Sequence, residues 1–167
     1  SGSDIAVSSN PPPAGVEQRE QAAMNYFVTQ GGFSDAQAAG IVGNLTNESA
    51  MNPTAVAPND AGPGKDSEGL AQWNRDRLAN LKSFAQAQGV EYTDFNIQLA
   101  FVVSELQNDP YERRVAGVPL SSAVNVRDAT VAMTKYERFK GYEQGVSSPE
   151  TRERIADAER IFATFNG

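Results

Sequence analysis

The stretch Gly40-Ile41-Val42-Gly43-Asn44-Leu45-Thr46-Asn47-Glu48-Ser49 decides how this chain is read. Just before it, Ser34-Asp35-Ala36-Gln37 has the form of a capping box, in which the Ser side chain accepts from the Gln amide and the Gln side chain reaches back. A helix is therefore expected from there to about Glu48. On it Ile41, Leu45 and Glu48 recur at helical spacing and share one face. A carboxylate thus lies on an apolar face at the C-terminal end of a helix. Partial burial raises a carboxyl pKa, and so does the negative end of the helix dipole. A carboxylic acid kept protonated near neutral pH is what a general acid needs. The same spacing also allows a plainer reading, in which Glu48 only ends the helix at the surface.

Outward from this segment the pattern stays helical. Ala22, Ala23, Tyr26 and Phe27 recur at helical spacing after Val16, and Gly31-Gly32 stops that helix. Residues 52–68 read as a long loop, and a short hairpin is expected somewhere in 54–72. Helices follow over 73–88, with Leu78, Leu81 and Ala85 inward, and over 94–107, capped by Thr93 and striped by Leu99, Val102, Val103 and Leu106. Residues 109–118 read as broken by Pro110, Gly117 and Pro119. Asn125 is a cap for a helix over 126–138. Ser148-Pro149 starts a last helix reaching Phe165, with Ile155, Ala158, Ile161, Phe162 and Phe165 inward. Residues 1–15 read as a Pro-rich linker, and 16–167 as one domain. Ser1-Gly2-Ser3 reads as a cloning remnant, and the whole linker is read equally as a tether to an upstream segment or as a terminus left by cloning.

Composition removes many chemistries. The 167 residues include no His and no Cys, and Lys+Arg 14 against Asp+Glu 21 gives a net charge of −7. No Ser-His-Asp triad, Cys-His pair, His-ligated zinc, thiolate cluster or disulfide is open to such a chain. Acid–base work falls mainly to Asp, Glu, Lys or Tyr. The acidic balance argues against nucleic acid, because the basic pairs Arg75/Arg77 and Arg113/Arg114 are short and have acidic neighbours. No stretch has the apolar length of a membrane span. Residues 1–15 lack the apolar core of a signal peptide.

Two further motifs bear on Glu48: Asn52-Pro53-Thr54-Ala55-Val56 directly after it, and Gly69-Leu70-Ala71-Gln72-Trp73 further on. Glu-Ser-x-x-Asn-Pro-x-Ala followed by Gly-Leu-x-Gln resembles the goose-type lysozyme and lytic transglycosylase superfamily. Within it the chain looks most like the phage tail lysozyme family. Gly31-Gly32-Phe33-Ser34, Gln37 to Leu45, Glu48-Ser49, Arg77, Leu81, Gln98-Leu99-x-Phe101, Glu105-Leu106 and Tyr136-Glu137-Arg138 carry the likeness over roughly residues 22–163. Two departures stand out. Phe139 follows Tyr136-Glu137-Arg138 where the family often has proline, and the loop over 60–68 is longer and more acidic than the family pattern.

The resemblance implies a mainly α, lysozyme-like helical domain with a small β-hairpin flanking a cleft. It implies cleavage of the peptidoglycan glycan between N-acetylmuramic acid and N-acetylglucosamine, with no metal or cofactor. Glu48 matches the family's catalytic glutamate, and Gln72 and Trp73 match the motif lining the cleft floor. An aspartate often follows the glutamate at the distance of Asp60, which makes Asp60 the first candidate to position water; Asp66 and Glu68 are the others. Asp60 in Asn59-Asp60-Ala61-Gly62 is equally a good turn residue. Transglycosylases of the superfamily need no such base. Trp73 either stacks on a sugar or belongs to the core. Tyr136 is expected to contact substrate, since superfamily members often place a tyrosine near the acid. Glu105 needs a partner, Arg77 or Arg138. Arg113-Arg114 and Glu150-Arg152-Glu153-Arg154 read as solvated faces with surface ion pairs. The implied setting is a phage tail protein, or a secreted or injection-apparatus protein, working on the wall in the periplasm. A wall-binding or tail-hub module with the same fold and no turnover is the rival from another class.

Overall fold

The computed structural model describes residues 12–167. Residues 1–11 of the expected linker lie outside the described residues. Eight α-helices and a two-stranded sheet make up the described chain, which is mainly α and lysozyme-like as expected.

Helix α1 (Val16–Thr29) is followed by α2 (Asp35–Ser49), which starts at the expected box: Gln37 N donates to Ser34 Oγ at 3.1 Å and Ser34 N to Gln37 Oε1 at 3.0 Å. Strands β1 (Val56–Ala57) and β2 (Ser67–Glu68) pair antiparallel, Val56 opposite Glu68 and Ala57 opposite Ser67, inside the range expected for a hairpin. A bridge between Glu68 and Trp73 extends this small sheet. Helices α3 (Arg75–Ala87) and α4 (Phe95–Asn108) come next. The cap of α4 is Asp94, whose side chain accepts from Ile97 N at 2.9 Å, and not Thr93. An Asp carboxylate both accepts that bond and complements the positive end of the helix.

Residues 109–118 are more continuous than their Pro and Gly content suggests. Asp109 caps α5 (Pro110–Glu112), a π-helical stretch (Arg113–Gly117) follows, and α6 (Val118–Ser122) continues from it. Pro110 and Pro119 both sit in the first turn of their helices, where the absent N–H is not missed. Gly117 is required there: a Cβ would lie 2.0 Å from the Leu106 carbonyl oxygen. Helix α7 (Val126–Glu137), capped by Asn125 as expected, and a 3-10 stretch (Tyr142–Ser147) lead to α8 (Pro149–Asn166).

Helix α2 is the axis of the domain, with α7 and α8 packed along it. Two glycines set how close they come. A Cβ on Gly40 would lie 2.6 Å from the backbone of Ala129 on α7. A Cβ on Gly43 would lie 2.8 Å from Ala158 Cβ and 2.9 Å from the Arg154 carbonyl oxygen on α8. Asn44, buried between them, donates to the carbonyls of Gly40 and Thr130. Around this axis Met24, Phe27, Ile41, Leu45, Leu81 and Leu99 form the core. The close approach matters because it presses the ends of three helices together at Glu48.

Candidate active site

Helix α2 stops at Ser49, one residue past Glu48, because the chain turns left-handed. Ala50 has φ 53° and Met51 φ 58°. Each non-glycine residue in that region costs roughly 1–2 kcal/mol, so the turn needs outside support. Arg19 of α1 supplies it by donating to the Met51 and Ala50 carbonyls at 2.9 and 3.2 Å, and Met51 is fully buried. Ser49 Oγ donates to the Leu70 carbonyl at 2.8 Å, which ties this turn to the Gly69–Trp73 loop.

The Glu48 carboxyl is neither free nor fully exposed. Its Oε2 accepts from Arg154 Nη2 at 2.7 Å. Arg154 is 5% exposed, its Nη1 donates to the carbonyl and Oδ1 of Asn44, and its guanidinium lies over the Phe139 ring at 3.9 Å. Burial pushes the Glu48 pKa up, Arg154 pulls it down through charge and hydrogen bond, and the charge of Asp60 pushes it up again. The outcome is upward. Arg154 is therefore no solvated surface residue, as the charged run around it suggested. It shares the inward face of α8 with Ala158 and Ile161, and that helical spacing was visible in the sequence.

The loop candidates separate by what they already do. Asp60 is exposed, accepts from Ser67 Oγ at 2.6 Å, and is the loop carboxylate whose charge Glu48 feels. Ser67 Oγ in turn accepts from Asn74 Nδ2 at 3.1 Å, so a short chain of hydrogen bonds fixes Asp60. Asp66 accepts from the Asn59 amide and closes the turn. Glu68 accepts from Tyr92 Oη at 2.7 Å. Gln72, at φ 55°, donates to the Ala55 and Gly69 carbonyls and braces the loop from inside.

Tyr136, expected to contact substrate, and Trp73, read as either a sugar-stacking or a core residue, are both buried. Trp73 is 1% exposed and Tyr136 0%. Trp73 Nε1 donates to Glu105 Oε1 at 2.9 Å and to Tyr136 Oη at 3.2 Å, and Tyr136 Oη donates to Glu105 Oε1 at 2.6 Å. Arg77 completes the cluster with two bonds to Glu105, at 3.0 and 2.9 Å. This buried carboxylate has the partner it needed, while Arg138 pairs bidentately with Glu112. Such a network is affordable because nearly every polar atom is satisfied. Trp73 and Tyr136 lost their proposed surface role for the same reason: their polar tips have partners inside.

One residue at this place carried no role in the sequence reading. Glu137 ends α7, and both its carboxyl oxygens are buried without a hydrogen-bond partner. Burial raises its pKa well above the ordinary value, and the charge of Glu48 raises it further. It lies one turn beyond the buried Met133, so spacing alone put a carboxyl on an inward face. Among the described residues no group of three or more acidic side chains is arranged to hold a metal ion.

A carboxyl with a raised pKa at the end of a central helix, near enough to an exposed carboxylate on a hairpin loop to feel its charge, is an arrangement suited to glycosidic acid catalysis. The family model described as phage tail lysozyme matches residues 18–165. The chain belongs to that family. It is accordingly a lysozyme-like domain that acts on peptidoglycan, with a phage tail as the family's setting. The match begins in α1 and ends in α8, so it takes in every residue of the site. Among the described residues no helix of this family member is long and apolar enough to cross a membrane.

Proposed function

We propose that the domain is a muramidase that hydrolyses the bond between N-acetylmuramic acid and N-acetylglucosamine, with Glu48 as general acid and Asp60 positioning the attacking water. The observation that carries this reading is the pairing of environments. Glu48 is largely buried with its pKa raised, whereas Asp60 is exposed and held by Ser67. Two carboxyls kept in different environments take different roles, one giving a proton and one accepting it. Glu48 protonates the glycosidic oxygen as the bond to the sugar carbon breaks. Water adds to that carbon from the side of Asp60, which takes up its proton. Asp60 is the loop carboxylate whose charge acts on Glu48, which favours it over Asp66 and Glu68. Gln72, Trp73 and Tyr136 serve by holding the loop and the floor in place.

Digestion of purified peptidoglycan followed by mass spectrometry tests this. Hydrolysis leaves reducing ends. Fragments one water lighter would mean anhydro ends and a transglycosylase, for which Asp60 has no role. No release of fragments at all would leave a wall-binding or tail-hub module.

A further inference from the structure

Two buried polar groups beside Glu48 are unpaired. Both oxygens of the Glu137 carboxyl accept no hydrogen bond, and the Nε of Arg154 donates none. A buried polar group left without a partner is costly, and more so when it is charged. The two stand on neighbouring helices, and no hydrogen bond joins them. Helices α7 and α8 pack on each other and on α2, and Phe139, just past Glu137, covers the Arg154 guanidinium. Arg154 is among the groups whose charge Glu137 feels. Shielded from water, each can be satisfied only from within the protein, and each is what the other lacks.

We propose that Arg154 is shared between Glu48 and Glu137, so that the guanidinium and one proton exchange places between two carboxyls, which makes Glu137 a positioning residue for the catalytic acid. In the arrangement described, Arg154 Nη2 is on Glu48 at 2.7 Å. Glu48 is then the carboxylate and Glu137 holds the proton. In the other arrangement Arg154 turns to a Glu137 carboxylate, and the proton is on Glu48, ready for the leaving oxygen. The O–H bond of Glu137 breaks, its electron pair staying on that oxygen, and an O–H bond of Glu48 forms. Each state contains one guanidinium, one carboxylate and one carboxylic acid, so net charge is unchanged. The exchange resolves a conflict in the site, since an acid locked to arginine has no proton to give.

The groups facing the pair come from every neighbouring helix. Glu137 is opposed in ionising by Glu48 of α2 and Glu105 of α4, and favoured by Arg154 of α8 and Arg77 of α3. Glu48 meets Arg154 and Asp60. Burial is the largest influence on both carboxyls and favours keeping a proton in the pair.

The proposal rests on Glu48 being the acid, and its test reads the pair without relying on lysis. Carboxyl-labelled glutamate allows Glu48 and Glu137 to be titrated by carbon NMR in the wild-type domain and in Glu137→Gln and Glu137→Asp. Two coupled carboxyls lose their protons in two shared steps when they interact by more than about one pH unit. Both signals should therefore move in both steps in the wild type. In Glu137→Gln the amide cannot take the charge, Arg154 stays on Glu48, and Glu48 should titrate in one step displaced downward by at least about one unit. The alkaline limit of lysis should move down with it, and Glu137→Asp should keep the two-step form. Independent single steps in the wild type, or a Glu48 titration unchanged in Glu137→Gln, would overturn the proposal. The wild-type titration decides the matter even if a variant folds poorly. Lysis by Glu48→Gln would remove the acid assignment itself, whereas an inactive Glu48→Gln with uncoupled titrations removes only the sharing of Arg154.

Discussion

Replacing Gly43 by alanine should weaken the domain, although alanine is the better helix former. In a helix interior the exchange alone favours folding by about 1 kcal/mol. Here the added methyl has nowhere to go: it would lie 2.8 Å from Ala158 Cβ, 2.9 Å from the Arg154 carbonyl oxygen and 3.0 Å from Ala158 Cα. Carbon atoms in contact rest about 3.5–4.0 Å apart, so α8 must retreat by roughly 0.7–1.2 Å. Forced overpacking of this kind costs about 1–3 kcal/mol. Subtracting the propensity gain leaves a loss of up to roughly 2 kcal/mol, and for a domain this size each kcal/mol lowers Tm by about 2–4 °C. The group displaced is the backbone of Arg154 itself, whose Nη2 holds Glu48 at 2.7 Å. Lysis should therefore fall by more than the fraction unfolded explains. Thermal melting by circular dichroism with a turbidity assay on the same samples measures both. Adding Ala158→Gly removes the nearest clash and should restore part of each. A Tm that rises by the propensity gain, with lysis unchanged, would refute the idea that glycine sets the distance between α2 and α8.

Glu48→Gln should cost at least about 10²–10⁴-fold in lysis with the melting curve preserved; retained activity would exclude it as the acid. Asp60→Asn should lose most of the activity, while Asp66→Asn and Glu68→Gln should mainly lower Tm, because those carboxylates hold the Asn59 amide and the Tyr92 hydroxyl. Ala50→Gly should raise Tm by a few degrees, since glycine relieves about 1 kcal/mol of left-handed strain at φ 53°. Denaturant melts across pH should show stability greatest on the mildly acidic side. Glu48 and Glu137 have folded pKa values above the ordinary 4.5, so between that value and their raised ones the folded state binds more protons than the unfolded, and stability falls as pH rises through the window. Glu137→Gln should flatten that fall.

The helices, the cap at Ser34, the hairpin and the position of Glu48 were legible because each rests on local pattern, whether apolar spacing, turn chemistry or a capping residue. What was not legible depends on which faces meet. Trp73 and Tyr136 each carry a polar tip that suits a cleft as well as a core. Only the meeting of α3, α4 and α7 around Glu105 sends both inward. Arg154 and Glu137 sit at inward spacings on their helices, yet a charged residue at such a spacing is normally assigned to the surface. Their burial follows from the approach of α7 and α8 to Gly40 and Gly43, which no single helix encodes. The unbroken run through 110–122 escaped for a similar reason. Pro and Gly read as breaks until the π stretch between them is seen to give each a place.

That π stretch has a consequence for how the chain can change length. A π turn carries one residue more than an α-helical turn would need, so Arg113–Gly117 holds an internal surplus. Removing a single residue there would not open a gap. It would let the run from Pro110 close into ordinary α-helix, with the residues after it facing nearly as before. Leu120, now fully buried, would keep its place in the core, and the turn into α7 would start from the same side. Insertions and deletions are usually tolerated in loops. In this domain a continuous helical segment can give up one residue and still keep the facing of the chain that follows.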